Sequence, residues 1–368
     1  MARWGERIAL TSYRYMRVSR KSGLETGVIS SLRGGCIRRN LDTSIKESAE
    51  CPIVGKLDIG SDLVRIYMTC EWGGGETEDV VLGTFIPVVP SRSIKSGYST
   101  ATVRMYGRLQ ELVDDAFAAP VTVERGENAV ARAKKVCEDC GLTVVSEPSA
   151  YTLSSTRCYG IGSDGGAESD TKLSMVNDLL SLAGFRSATT DPMGRVIFEK
   201  YREPSEMAPA WEFVEGTTAK FEASMTEERD YTDVANHVVV YYGPDQDGKA
   251  IAAEAWDRDP SSPLSTVSRG RTITRVKSFS ELPDGSSDQE RQKVADAKAR
   301  SLLDTEQSVV LRVSMRHPYV PVKPADAVLA DYASGNVRGK FQVRTQSLTL
   351  SGGCPVDAEL RVNDRRNR

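Results

Sequence analysis

The stretch 170–200, DTKLSMVNDLLSLAGFRSATTDPMGRVIFEK, constrains this chain more than any other, because helix start, helix stop and turn signals agree within it. Asp170 or Ser169 can cap a helix, and Leu173, Val176, Leu179, Leu180 and Ala183 recur at helical spacing on one face. Gly184 stands where a left-handed C-cap residue is usually found. From Phe185 the residues alternate as a strand, Asp191-Pro192-Met193-Gly194 makes a turn, and 195–200 runs back as a second strand. A capped helix followed by a β-hairpin is a scaffold unit with no reactive group in it.

Around that unit the chain is ordinary for a globular protein. It has 368 residues, 39% hydrophobic and 27% charged, which is enough for two to four domains. No apolar run approaches the roughly 20 residues of a membrane span, and the opening MARWGERIAL has no signal-peptide core. A net charge of −3 argues against a general nucleic-acid coat and against a membrane-surface protein. The basic end, Arg365, Arg366 and Arg368, is too short a patch to change that. Seven cysteines, an odd number scattered over a long chain, read as reduced thiols made in a cytoplasm. With only His237 and His317, imidazole chemistry has few places to happen.

The first hundred residues read as β. Val64, Ile66, Met68, Cys70 and Trp72 mark one face of a strand, Gly73-Gly74-Gly75 turns the chain, and VVLGTFIPVV (80–89) returns. Pro87 and Pro90 predict that this strand ends at an edge. Strands with Gly-rich turns and no helix point to a barrel or a sandwich. After a strand at 99–106 the period changes. Leu109, Leu112, Val113 and Ala116 predict a helix near 108–117, a second runs near 127–140, and strand-like 142–145 leads to the helix near 171–183 and the hairpin 185–200. Residues 99–208 are thus α/β, closed by the Pro-rich stretch YREPSEMAP (201–209). Beyond it NHVVVYY (236–242) is a strong strand, a charged helix is expected near 288–303, and 309–315, 327–329, 340–350 and 358–362 return to strand periodicity.

Motifs that could carry chemistry fail on their own terms. Residues 243–250 fit GxxxxGK, but Pro244 removes a donor, Asp245 and Asp247 repel phosphate, and Ala250 cannot ligate Mg²⁺. The same turn half-matches an EF-hand loop through Asp245, Asp247, Gly248 and Glu254, yet its first ligand position is Gly243 and a strand precedes it. Gly160, Gly162 and Gly165 form a GxGxxG, but the stretch before it is polar where a buried parallel strand should be apolar. Cys137 and Cys140 form a lone CxxC on the face of Ala129, Ala133 and Val136, which reads as small core residues rather than zinc or redox chemistry. The sequence therefore predicts no catalytic, cofactor-binding or metal-binding residue, no cofactor and no enzymatic activity.

These segments follow one another as they do in a known family. VVLGTFIPVVPSRS (80–93) resembles a strand near the end of the first domain of tail hub proteins of tailed phages, the baseplate hub and siphophage minor tail proteins. ATVRMYGRLQELVDD (101–115) is similar to the strand and helix that follow it there, with Gly107 where those proteins often carry Asp. TKLSMVNDLLSLAGF with DPMGRVIFEKY resembles their helix–hairpin module. ANHVVVYY (235–242) resembles the strand that opens their second barrel, and 259–276 the segment before their late helix. Order and spacing across nearly the whole chain carry the resemblance.

The resemblance implies a β-rich α+β multidomain fold, with two antiparallel β-barrel tube-like domains and small α/β domains between and inserted. It sets a first barrel at 1–98, an α/β domain at 99–208, a second barrel at 209–245 plus 308–366, and an inserted segment at 246–307. It implies a structural virion protein made in the host cytoplasm and placed at the tail tip or baseplate. Its partners would be two further copies, a tail tube or distal tail protein, the tape measure protein and a central spike or fibre. DNA would pass an enclosed channel without specific binding, and no membrane segment is expected. Two other classes stand beside it. A phage or cell-surface receptor-binding adhesin explains the strands but gives no reason for the helix–hairpin module, and an enzyme domain lacks an identifiable constellation.

Overall fold

Two-residue periodicity makes the strands of the amino-terminal region. The computed structural model describes residues 2–6, 8–55, 59–95, 98–160, 171–229, 234–242, 250–279, 287–307 and 310–363. They fall into two units, unit 1 over Met1–Met225 with Ser314–Leu360, and unit 2 centred on Thr226–Val313. In strand β5 (Leu63–Trp72) the side chains of Val64, Ile66, Met68, Cys70 and Trp72 are all buried, as the alternation predicts. β1 (Ile8–Val18) lies antiparallel to it with Tyr13 opposite Met68 and Tyr15 opposite Ile66. β2 (Glu25–Val28), β3 (Cys36–Asn40), β4 (Glu47–Ile53), β6 (Thr77–Lys95) and β7 (Tyr98–Gly107) complete this region. β6 does not stop near residue 89 as expected. It pairs with β5 up to Phe85 and with β7 from Phe85 onward, with an irregularity between Pro87 and Val89. Both prolines thus sit in the half of the strand that β5 has left, where a missing N–H breaks no second ladder.

The α/β region follows the predicted order with shorter elements. The helix near 108–117 is a 3₁₀ turn (Arg108–Gln110) running into a single turn, α1 (Glu111–Asp114). Ala116 lies beyond it and bridges to Thr171 instead of joining Leu109 and Leu112 in the core. β8 (Val121–Val123) precedes α2 (Ala129–Asp139), whose cap is the Asn128 side chain accepting from the Ala131 N–H at 2.9 Å. β9 (Val144–Ser146) follows, and β10 (Arg157–Tyr159) pairs with β8. The cap of α3 (Lys172–Leu182) is Thr171, whose hydroxyl accepts from the Ser174 N–H at 3.1 Å, in place of the expected Asp170 or Ser169, which lie outside the described residues. Gly184 ends α3 at φ +75°, as the sequence requires.

The hairpin is β11 (Thr189–Thr190) and β12 (Val196–Phe198), extended by a bridge between Phe185 and Lys200. β12 also pairs in parallel with β9, which local sequence could not predict, and the small sheet joins α2 and α3 around Leu173, Val176, Leu179, Leu180, Cys137 and Phe198. Each such fully buried side chain contributes about 2 kcal/mol. The turn at 191–194 docks on β6. Thr84 donates to the Pro192 carbonyl at 2.9 Å, and the buried Arg65 reaches the Met193 carbonyl at 3.3 Å. Gly194 has φ +82°, and a Cβ there would stand 2.8 Å from Arg108 Cδ. This glycine serves close packing as well as the turn.

β13 (Trp211–Val214) and β14 (Met225–Arg229) lead to unit 2. There β15 (His237–Tyr242) lies between antiparallel β16 (Ile251–Trp256) and parallel β17 (Thr274–Phe279), with a short helix α4 (Thr266–Arg269) before β17. The long helix α5 (Asp288–Glu306) packs Ala295, Ala299 and Leu303 against Val238, Val240, Ala253 and Ala255. The expectation that 236–242 opens a second barrel with 308–366 is corrected here. Its apolar face is covered by α5, whose alanines allow close approach, so the inserted unit begins near residue 226 rather than 246.

β18 (Val310–His317), β19 (Ala327–Tyr332), β20 (Val337–Thr349) and β21 (Val356–Asn363) complete the chain. One large sheet runs β14-β18-β21-β20-β3-β4-β7-β6-β5-β1-β2, with β19 branching from β20 and β13 pairing in parallel with β19. The architecture is β-rich, as predicted. The two strand sets, expected as separate barrels, are joined where β20 pairs β3, Leu348 opposite Ile37, and no closure of either into a barrel is seen among the described residues. Two strand edges that would each expose unpaired N–H and C=O groups satisfy one another.

Candidate functional site

The residues singled out from sequence are not brought together. In unit 2, His237 is buried, its Nδ1 is 3.0 Å from Thr274 Oγ1, its Nε2 is 3.1 Å from Glu254 Oε2, and its ring stacks on Trp256 at 3.6 Å. Glu254, the last position of the half-matched calcium loop, is therefore committed to a neighbouring strand, while 243–249 lie outside the described residues. In unit 1, His317 is buried against Phe213, and burial lowers its pKa. Of the GxGxxG only Gly160 is described. Its φ is +114°, and a Cβ would stand 3.0 Å from Phe117 Cβ, which is a packing reason for glycine. The basic end at 365–368 lies outside the described residues.

All seven cysteines are free. Cys137 is a core residue, and burial pushes its thiol up to about 12. Cys140 is half-buried and packs at the margin of that core. It caps the end of α2 and donates to Asp115 Oδ2 at 3.4 Å, beside the Lys172–Asp115 ion pair. Burial, with the hydrogen bond to Asp115, raises its pKa as well. Two thiols held protonated are poor nucleophiles and poor metal ligands. Among the described residues no group of three or more His, Cys, Asp or Glu side chains is placed to hold a metal ion, and no helix is long and apolar enough to cross a membrane.

What the fold does build in unit 1 is a broad polar face. Along β18, β21, β20, β3, β4 and β7 the inward positions are mostly apolar, with Arg39, Glu47, His317 and Gln346 as the polar exceptions, and the outward ones are mostly polar. Register places Ser347 opposite Arg38, Arg38 opposite Ser48, and Glu50 opposite Arg104. The surface is a shallow groove of about 540 Å³ that also takes in Asn40, Thr345, Asp357 and Glu359. Two of its cations are matched by carboxylates. Arg38 lies 3.8 Å from Glu50, and Arg316 lies 3.5 Å from Glu222 and 3.8 Å from Asp357. Such a face is hydrated and carries little net field.

Sequence reasoning missed the buried charges at the rim of this sheet. Arg39, on the inward parity of Ile37, donates to the Leu82 carbonyl at 2.6 Å and sits 3.7 Å from Glu47, on the inward parity of Ala49 and Cys51. Arg65 similarly bridges Glu25, Thr84 and Met193. The signal was present. A charged residue in phase with the apolar positions of a strand must be paired when buried.

Neither a protein-family model nor a curated protein matches the sequence. Solved structures do. Over nearly all its length the chain has the fold of phage tail proteins. It superposes on the tail protein of Neisseria meningitidis MC58 with a TM-score of 0.63 at 13% identity, covering 96% of this chain and 97% of that one. The 43 kDa tail protein of prophage MuSo2 from Shewanella oneidensis gives 0.61 at 10% identity, covering 97% and 99%. A structure of the PdpA–VgrG complex gives 0.54 at 6% identity, covering 97% of this chain and 65% of that one.

Proposed function

We propose that this chain is a structural virion protein acting as a tail hub. Three copies would form a ring that joins the hexameric tail tube to a trimeric spike or fibre and leaves an axial channel for DNA. The observation that carries the reading is the near-complete coverage of two tail proteins in both directions, 96% and 97% of this chain. The two strand sets of unit 1 would each supply one tube-type wall, so that three chains present six. The polar face with its paired arginines suits a wall past which DNA moves, because a lining of uncompensated cations would hold phosphates. The tube or distal tail protein and the tape measure would be neighbours on one side and the spike on the other. No enzymatic step is assigned to it, since the buried thiols and committed histidines offer no poised base or nucleophile.

Copy number and position in an assembled particle, read by cryo-EM, test the proposal. Three copies around a lumen at the tip of the tube are expected. Six copies per ring, a capsid location or a solid centre would overturn it.

A further inference from the structure

A second concave site of unit 1 has a different character from the polar face. Between the helix–hairpin module and β20 lies a cleft of about 330 Å³. Its wall carries Lys46, Arg186, Lys200, Arg202 and Arg344, and no carboxylate lines it. Three of the five charges are answered from outside the cleft, Arg344 by Asp42, Arg202 by Glu147 at 2.9 Å, and Arg186 by Glu199. The two lysines have no ion pair of their own among the described residues, although the Asp42 carboxylate that holds Arg344 also acts on Lys46. Lys46 is half-buried and its ammonium donates to the Leu41 carbonyl at 2.7 Å, and Lys200 is exposed with no ion pair among the described residues. Burial lowers the pKa of Lys46, so its charged form lacks the solvation that it would have in water. In addition, Nε of Arg186 and Nε of Arg344 are buried without a hydrogen-bond partner among the described residues.

Unanswered donors of this kind are costly unless an acceptor arrives. The adjoining cavity of about 270 Å³ shares Lys46, Arg186 and Thr189, but Glu47, Glu199 and Asp326 line it. That neighbour sets three carboxylates against its four cations, and the cleft sets none against its five.

We propose that this cleft is a binding site for a small multivalent oxyanion of the phosphate class. Two guanidinium groups with spare Nε donors can meet the edges of a tetrahedral anion, while the two ammoniums neutralise it. Ser187 and Thr189 at the wall add hydroxyl donors. The proposal stands apart from the hub reading, because it needs only the fold of unit 1 and a single chain.

The test is binding of inorganic phosphate and pyrophosphate to the full chain by isothermal titration calorimetry, with thermal unfolding alongside and ionic strength held constant by chloride. A saturable isotherm, tighter for pyrophosphate, is expected, together with a rise in melting temperature that saturates at the same concentration. Lys200→Ala, at an exposed position, and Lys46→Met are each expected to weaken binding about tenfold, the loss of one close charge pair. Lys135→Ala, on the solvent face of α2, should leave it unchanged. If Lys46→Met fails to fold, the Lys200→Ala and Lys135→Ala pair still decides. A non-saturating response equal to that of chloride, or the same affinity in Lys200→Ala as in the parent, would overturn the proposal.

Discussion

Replacing Arg39 by Met should cost unit 1 about 4 kcal/mol at pH 8 and roughly half of that at pH 5. The guanidinium and the Glu47 carboxylate are both nearly buried, at 7% and 12% exposure, with Nε and Oε1 3.7 Å apart. Removing one partner of a buried pair costs about 3–5 kcal/mol, because the other charge is left uncompensated. The Leu82 carbonyl and Gln346 Oε1 also lose a donor, while the Met chain keeps most of the packing. Burial already raises the pKa of Glu47, and Arg39 is the first influence pulling it back. Without Arg39 the folded-state pKa moves further above the unfolded value of about 4.3. A carboxyl raised in this way stabilises the fold below its unfolded pKa, and that contribution is lost as pH rises through the folded pKa. The penalty must therefore grow from pH 5 to pH 8, and Glu47→Gln in the Arg39→Met background should recover about 2 kcal/mol at pH 8. Urea unfolding followed by tryptophan fluorescence reads this transition, since Trp4, Trp72 and Trp211 belong to unit 1 and only Trp256 to unit 2. Equal losses at both pH values, or no recovery in the double variant, would refute the account of a buried carboxylate held by Arg39.

Three further outcomes are expected. Gly35→Ala should destabilise unit 1 by more than about 2 kcal/mol in the same assay, because φ is +112° and the new Cβ would fall 2.3 Å from the Glu50 carbonyl oxygen. Thr171→Ala should cost about 1 kcal/mol through loss of the α3 cap, with Thr171→Ser close to neutral. Thiol labelling of the native chain, read by peptide mass spectrometry, should modify exposed Cys158 first. Buried Cys51 and Cys137, both pushed up to about 12, should react only after unfolding.

The sequence by itself determined the elements whose signals are local. Strand β5 was legible because five apolar residues at period two can face only one core, and α3 with its hairpin was legible because cap, stop glycine and turn lie within thirty-one consecutive residues. The order of these pieces also sufficed to suggest the tail-protein fold that the superpositions show. The tertiary structure decided whatever depends on partners far apart in the chain. It paired β12 with β9, gave 236–242 to α5 rather than to a second barrel, ran β6 past its prolines and joined β20 to β3. It also assembled Lys46, Arg186 and Arg344 around one cleft from positions nearly three hundred residues apart. Strand edges are chemically alike and charged side chains carry no local mark of their neighbours. Which edge meets which, and which charges converge, is set only when the long-range contacts close.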